Sequence, residues 1–240
     1  MSRLRLISAG LLVFLAFLLW RAPAWLVTDR VIDAVPELRL GQTKGTLWSG
    51  ELDQVAYQGI HVAAVGWRFR PLGLISGLPL HVSAAAPAKV SANLGSGGGG
   101  KLRITDLDIE GDIATLLGAA GLPTMGFGGR YSGNVDEALI STSTCEAISG
   151  RLVLESLQGD VAGIEKVAPV VAQISCQGGA VVVQIDEANT MRVRGTLRLR
   201  IGGAVNGQVV LSPPPGSELF SSLSQLMGRP RNGKDFLLRL

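Results

Sequence analysis

Apolar and polar positions divide this chain into two unequal parts. The first is a block: residues 6–20, opened by Leu6 and closed by Trp20, carry no charge. Such a run predicts a lipid-embedded helix, although it is shorter than the roughly 20 residues that cross about 30 Å of hydrocarbon. Residues 22–27 are apolar again, so the expected transmembrane anchor depends on Arg21 snorkelling its guanidinium to the headgroups. Trp20 and Trp25 suit an interfacial aromatic belt, and Arg3 and Arg5 place the N-terminus in the cytoplasm. A cleaved signal peptide is the competing reading, with Ala22-Pro23-Ala24 imitating a cleavage site. The long apolar run and the adjacent Arg21 argue against it. Both readings export the rest of the chain. The expected organisation is a cytoplasmic stub and anchor over residues 1–27 and an exported β-rich domain over 28–240, on the non-cytoplasmic side of the inner membrane.

In the second part, after a short helix expected over residues 28–35 with Thr28 as cap and Pro36 past its end, the period is two. Val82, Ala84, Ala86, Ala88, Val90, Ala92 and Leu94 share one parity, opposite a mostly polar set, which predicts one strand with an edge or bulge at Pro87. Met191, Val193, Leu197, Leu199 and Ile201 likewise oppose Arg192, Arg194, Arg198 and Arg200. A helix would scatter these arginines, whereas a strand aligns them on one face, either solvated or open to a partner or anionic headgroups. Val205, Val209 and Leu211 then complete a hairpin. Further strands are expected at residues 102–109, 129–135, 151–157, 181–185 and 236–240. Helices are expected at 112–120, capped by Asp112, and at 217–227, where Ser217 caps a stripe of Leu219, Phe220, Leu223 and Leu226. Residues 160–172 are ambiguous because Pro169 interrupts them. One wet face and few helices predict a mainly β fold: a twisted antiparallel sheet, curled as a half-barrel or clamshell, behind one N-terminal transmembrane helix.

Composition changes this picture little. Of 240 residues, 47% are hydrophobic and 17% charged, which excludes a disordered chain, and 32 glycines imply many tight turns. The net charge of +3 gathers at the N-terminus and at Arg229, Arg231, Lys234 and Arg239, with no basic patch interleaved with aromatics, so nucleic-acid binding is not expected. The glycine-rich residues 95–100 read as a hairpin loop, with an inter-subdomain linker as the alternative. No Gly-Lys-Ser/Thr or helix comes after them, so no nucleotide site is expected.

Cys145 and Cys176 are the only cysteines, too few for zinc and far from His61 and His81. In an exported region one disulfide is the natural reading, two separate buried thiols the other. Asp106, Asp108, Glu110 and Asp112 alternate along one strand but lack calcium-loop spacing. No acid, base and nucleophile can be assembled into an active site, so neither an enzyme nor a cofactor is expected.

One set of motifs points to a family. Gly45-Thr46-Leu47-Trp48-Ser49-Gly50 precedes Gly66-Trp67 and then Pro71-Leu72. Read locally, Gly45 and Gly50 bracket a strand that buries Trp48, Trp67 and Phe69 face one side, and Pro71 ends the run. The order of one anchor and these motifs resembles protein N of the type II secretion system, the GspN family. The resemblance implies an inner-membrane accessory component that supports transport of folded proteins from periplasm across the outer membrane. Its implied partners are other secretion subunits and inner-membrane lipid, with no catalytic residues. The family is also similar to AsmA-like proteins, whose curled sheets imply an alternative role in periplasmic lipid binding or envelope maintenance.

Overall fold

A computed structural model describes the chain at all residues except 1–2, 27, 29–37, 58–59, 116–125, 127, 202–204 and 240. Helix α1 (Arg3–Trp20) precedes fourteen strands among the described residues. These are β1 (Leu38–Leu40), β2 (Thr43–Gly45), β3 (Ser49–Tyr57), β4 (Ile60–Phe69), β5 (Leu80–Ala84), β6 (Ala88–Ser96) and β7 (Leu102–Asp112). They continue as β8 (Arg130–Ile140), β9 (Cys145–Leu154), β10 (Val170–Gln177), β11 (Ala180–Ile185), β12 (Arg194–Leu199), β13 (Val205–Leu211) and β14 (Phe236–Arg239). All join one antiparallel sheet. From β3 onward every strand pairs with its successor, while β1 and β2 both pair with β3. The sheet is open, its path ending at β1 and β14. Many of the connections are hairpins, too short for the crossover that parallel neighbours need.

Alternation in the sequence becomes rows across the sheet. One row runs Ser83, Ser91, Asp108, Asn134, Arg151, Gln173, Gln184, Thr196, Gln208, Arg239, directly paired at each step from β5 to β14. Its neighbour on the opposite face runs Ala84, Val90, Ile109, Gly133, Leu152, Ala172, Ile185, Gly195, Val209, Leu238. A slip of one residue anywhere would exchange the two rows, so this pattern fixes the register. Bulges interrupt it between Ser91 and Asn93 and between Val135 and Glu137, where strands bend and twist more.

The apolar face is sealed at one end by helix α2 (Glu218–Met227). Ser217 caps it, its Oγ accepting from the Phe220 N–H at 3.2 Å. Leu219 and Leu223 pack against Val170, Met191, Val193, Leu211 and Phe236, and Phe220 meets Phe236 edge to face with ring centroids 5.4 Å apart. At the far ends of β9 and β10 a disulfide joins Cys145 to Cys176, Cα atoms 5.9 Å apart.

Several expectations change. Among the described residues no helix is long and apolar enough to cross a membrane. The 18 residues of α1 rise about 27 Å, and the helix does not continue through the apolar residues after Arg21. There the chain leaves the helix, Pro23 forms a β-bridge with Thr46, and Ala22 and Ala24 are buried against the first hairpin. Of the residues expected to lengthen the span, Ala22, Pro23 and Ala24 thus pack on the sheet, while Trp25 and Leu26 are exposed in a separate helical turn. The strand expected over residues 82–94 is two strands, β5 and β6, folded back at a cis Ala86–Pro87 bond. Parity survives the turn, which is why it reads as one strand. Residues 191–201 form a strand only over Arg194–Leu199.

Other expectations hold locally. The glycine-rich residues 95–100 close the β6–β7 hairpin, Gly97 N–H donating to Lys101 O at 2.9 Å. Asp112 caps the helical residues 113–115, accepting from Ala114 N–H at 2.9 Å; the rest of that expected helix lies outside the described residues. So does the helix expected at 28–35, apart from Thr28. The ambiguous 160–172 segment is a 3-10 turn (Ile164–Lys166) leading into β10.

Candidate functional site

The motif residues 45–50 form a hairpin turn, not the strand expected of them. Gly45 and Gly50 are paired across it, and Thr46 N–H donates to Ser49 O at 2.8 Å. Thr46 Oγ1 accepts from the N–H groups of Trp48 and Ser49, both at 3.3 Å. Gly45 has φ +98°, and a Cβ there would press on the Ser49 carbonyl, so only glycine fits. Opposite Gly50 lies Trp67, whose ring occupies the space a Cβ on Gly50 would need. Trp67 Nε1 donates to the carbonyls of Thr46 and Leu47, each at 3.2 Å, and so holds the turn against β4.

The outer side of this turn receives the end of α1. Trp48 Nε1 donates to Leu19 O at 2.9 Å, Leu47 N–H to Ala22 O at 3.0 Å, and Ala24 N–H to Gly45 O at 3.2 Å. Leu19 is among the last carbonyls of α1, which lack a partner within the helix proper; it also accepts from Ala22 N–H at 3.2 Å in the turn beyond. The Trp48 and Phe69 rings meet edge to face with centroids 5.0 Å apart, while Phe69 N–H donates to Trp48 O at 2.6 Å. The turn is therefore a clamp linking the helix end to β4. Gly66 sits between Glu51 and Ser83 in this region, with Trp67 next in the strand. Pro71 and Leu72 lie just past β4, where Leu72 is exposed to solvent.

Beyond the clamp, α1 is uncovered. Every described side chain from residue 7 to 20 is exposed, Trp20 included, as is Trp25. Arg21 folds its guanidinium over the Phe17 ring, 5.7 Å from the centroid. Leu6 lies in α1, but its side chain is not among those described.

The four arginines of the expected row do not act together. Arg192 precedes β12 at φ +50°, and Arg200 comes after the strand. Arg194 is half-buried and engaged: Nη1 donates to Ser212 Oγ at 2.9 Å, and Nη2 lies 3.4 Å from Asp235 Oδ2. Ser212 Oγ in turn donates to Asp235 Oδ1 at 2.6 Å. The Ser212 hydrogen bond, more than the Arg194 charge, holds the Asp235 carboxyl below the usual aspartate range, against some desolvation. Nothing local in the sequence joins residues 194, 212 and 235.

Arg194 and Arg198 do share one face with Thr196, and there they line an open trough of about 1020 Å³ with Gln173, Gln184, Asp186, Glu187, Asn206 and Gln208 among others. Sequence reasoning missed these glutamines, although the position of Gln173 between the apolar Ala172 and Ile174 is the alternation that places it. A second hollow of about 420 Å³ lies on the same polar row, lined by Ser91, Asp108, Asn134 and Arg151 among others. The carboxylates of β7 do not converge. Among the described residues no group of three or more His, Cys, Asp or Glu is placed to hold a metal.

An open β-meander with one polar face, carrying an apolar helix clamped to its first hairpin, is the class that this fold and site define. The model of the family described as type II secretion system (T2SS), protein N matches residues 36–237, and the chain belongs to that family, a component of the secretion system. It is 26% identical over 243 residues to the type II secretion system protein N of Klebsiella pneumoniae, covering 98% of this chain and 87% of that protein. No solved structure matches.

Proposed function

We propose that this protein is an accessory inner-membrane component of the type II secretion pathway. It supports passage of folded proteins across the outer membrane, with residues 28–240 in the periplasm. The observation that carries this reading is the clamp at Trp48: it fixes the end of α1 to the sheet yet leaves the apolar sides of the helix uncovered. A helix apolar on every side needs lipid or other helices around it. We assign α1 to the inner membrane as an embedded anchor, with Trp20, Arg21 and Trp25 at the headgroup level. The Cys145–Cys176 disulfide agrees with an oxidising compartment for the sheet.

The polar trough around Arg194 and Arg198 is the surface we assign to another secretion subunit; Arg192 and Arg200, which lie before and after β12, are outside its lining. Its amides, the Arg198 guanidinium and the carboxylates of Asp186 and Glu187 suit a polar peptide segment. The short edges β1 and β14 add main-chain groups for strand addition. The lipid-handling alternative draws less support, because the trough is lined by glutamine, asparagine, arginine, Asp186 and Glu187, which an acyl chain would leave unpaired.

Photoreactive side chains placed at Arg198 and Gln208 of the full chain in its own cells test the partner assignment. Adducts with another secretion subunit are expected. Adducts with phospholipid from these positions would favour the lipid-handling reading instead.

A further inference from the structure

We propose that the β4–β5 connection, residues 71–77, is a second membrane-contacting element, a wedge that rests in an anionic lipid surface beside the end of α1. The proposal depends on the reading that α1 is embedded in lipid.

Three large apolar side chains crowd the tip of this connection: Leu72 is 81% exposed, Leu74 62% and Ile75 88%. Scattered exposed leucines are ordinary, but three within four residues on one protrusion are not explained by packing. The protrusion is also held out. Arg70 N–H donates to Pro79 O at 2.7 Å, Gly73 N–H to Arg70 O at 2.9 Å, and Leu78 N–H to Gly73 O at 2.7 Å, while Ser76 Oγ donates to Gly73 O at 3.1 Å. These bonds close the base of the helical turn Gly73–Ser76 and use its backbone donors and acceptors internally. What the tip presents is aliphatic side chain, the composition that hydrocarbon accepts.

Its position selects lipid over a protein groove. Phe69, two residues before Pro71, packs on Trp48, and Trp48 Nε1 bonds to Leu19 O at the end of α1. The tip therefore sits at the end of the sheet where the apolar helix departs. Charge agrees: no aspartate or glutamate occurs between Asp53 and Asp106, and none before Asp29. Arg21, Arg68 and Arg70 are exposed here; Glu51 lies beside Arg68 across the β3–β4 pair, and Arg70 Nη1 donates to Asn93 Oδ1 at 3.2 Å, so Arg21 and Arg70 supply the basic rim of the tip. Basic residues around an aliphatic tip fit a surface of anionic headgroups, and the two contacts together orient the sheet on the bilayer.

The native cysteines are both in the disulfide, so an added cysteine labels alone. Full-length Ile75→Cys, Phe14→Cys and Glu187→Cys variants, each carrying an environment-sensitive fluorophore, are reconstituted into vesicles of phosphatidylethanolamine and phosphatidylglycerol containing headgroup-level or acyl-chain nitroxide lipids. The label at 75 is expected to be quenched several-fold more than that at 187, most by the headgroup-level nitroxide. That at 14 should be quenched most by the acyl-chain nitroxide. Quenching at 14 without quenching at 75 overturns the wedge and leaves the anchor standing; quenching at neither position overturns both. In phosphatidylcholine vesicles the quenching at 75 should weaken, and an unchanged value overturns the anionic assignment. Ile75 is solvent-exposed, so its replacement leaves the fold intact. A label at 75 that is shielded in cells by a protein, and unquenched in vesicles, identifies a protein-docking tip and overturns the lipid one.

Discussion

Trp48 Nε1 and the Leu19 carbonyl, 2.9 Å apart and 29 residues distant in sequence, form the hydrogen bond that couples the apolar helix to the sheet. The Leu19 carbonyl also accepts from Ala22 N–H at 3.2 Å in the turn that ends the helix, so Trp48 adds a second donor to a terminal carbonyl. The same indole packs on Phe69, so one side chain joins helix, turn and β4.

Trp48→Phe keeps the ring contact and removes the donor. It should cost about 1 kcal/mol, the usual net value of such a bond. Its distinctive signature is local: faster proteolysis at residues 21–25 of the full chain in detergent, with β6–β9 equally protected. Uniform protection in the variant would mean that the helix end is held by other contacts.

The disulfide lies across a sequence separation of 31 residues. Replacing both cysteines by alanine should lower unfolding stability by about 3–4 kcal/mol if constraint of the unfolded chain dominates. Urea unfolding of the variant, compared with the parent in the presence and absence of reductant, checks this. The reduced parent and the variant should coincide.

Asp235 gives a pH dependence. The Ser212 hydroxyl and Arg194 favour its ionised form in the folded state, so its folded pKa lies below the unfolded value. The stability this contributes is fully present above the ordinary aspartate value near 4 and is lost as pH falls through the depressed value. Asp235→Asn should therefore be less stable than the parent at neutral pH, with the two denaturation midpoints converging below about pH 4. Parallel curves over that range would show that the carboxylate contributes nothing.

Much of the sheet was legible in the sequence because period-two alternation survives wherever one face is apolar. Residues 102–109, 181–185 and 236–239 are strands for that reason. The helix at 217–227 was legible from Ser217 and its apolar stripe. Failures came where two structures share a pattern. The alternation from Val82 to Leu94 is continuous because the turn at Ala86–Pro87 keeps parity, so a hairpin and a strand look alike. Gly45 and Gly50 resemble the ends of a strand, whereas glycine at φ +98° opposite a second glycine marks a tight turn beneath Trp67. The end of the anchor was not legible because apolarity alone does not tell lipid from the sheet: Ala22 and Ala24 are buried in protein. At the site, the arginine alternation was visible, but the pairing of Arg194 with Asp235 and Ser212 depends on strands distant in sequence.

The central claim is that α1 holds this secretion-system protein in the membrane. Alkaline carbonate extraction of membranes from cells expressing the full chain, beside a Leu11→Asp, Phe14→Asp, Leu18→Asp variant, measures this. The three substituted side chains are exposed on the helix, so the sheet should fold in both proteins. The parent is expected to stay in the membrane pellet and the variant to be released with its disulfide intact. Release of the parent, or equal retention of the variant, would contradict the claim.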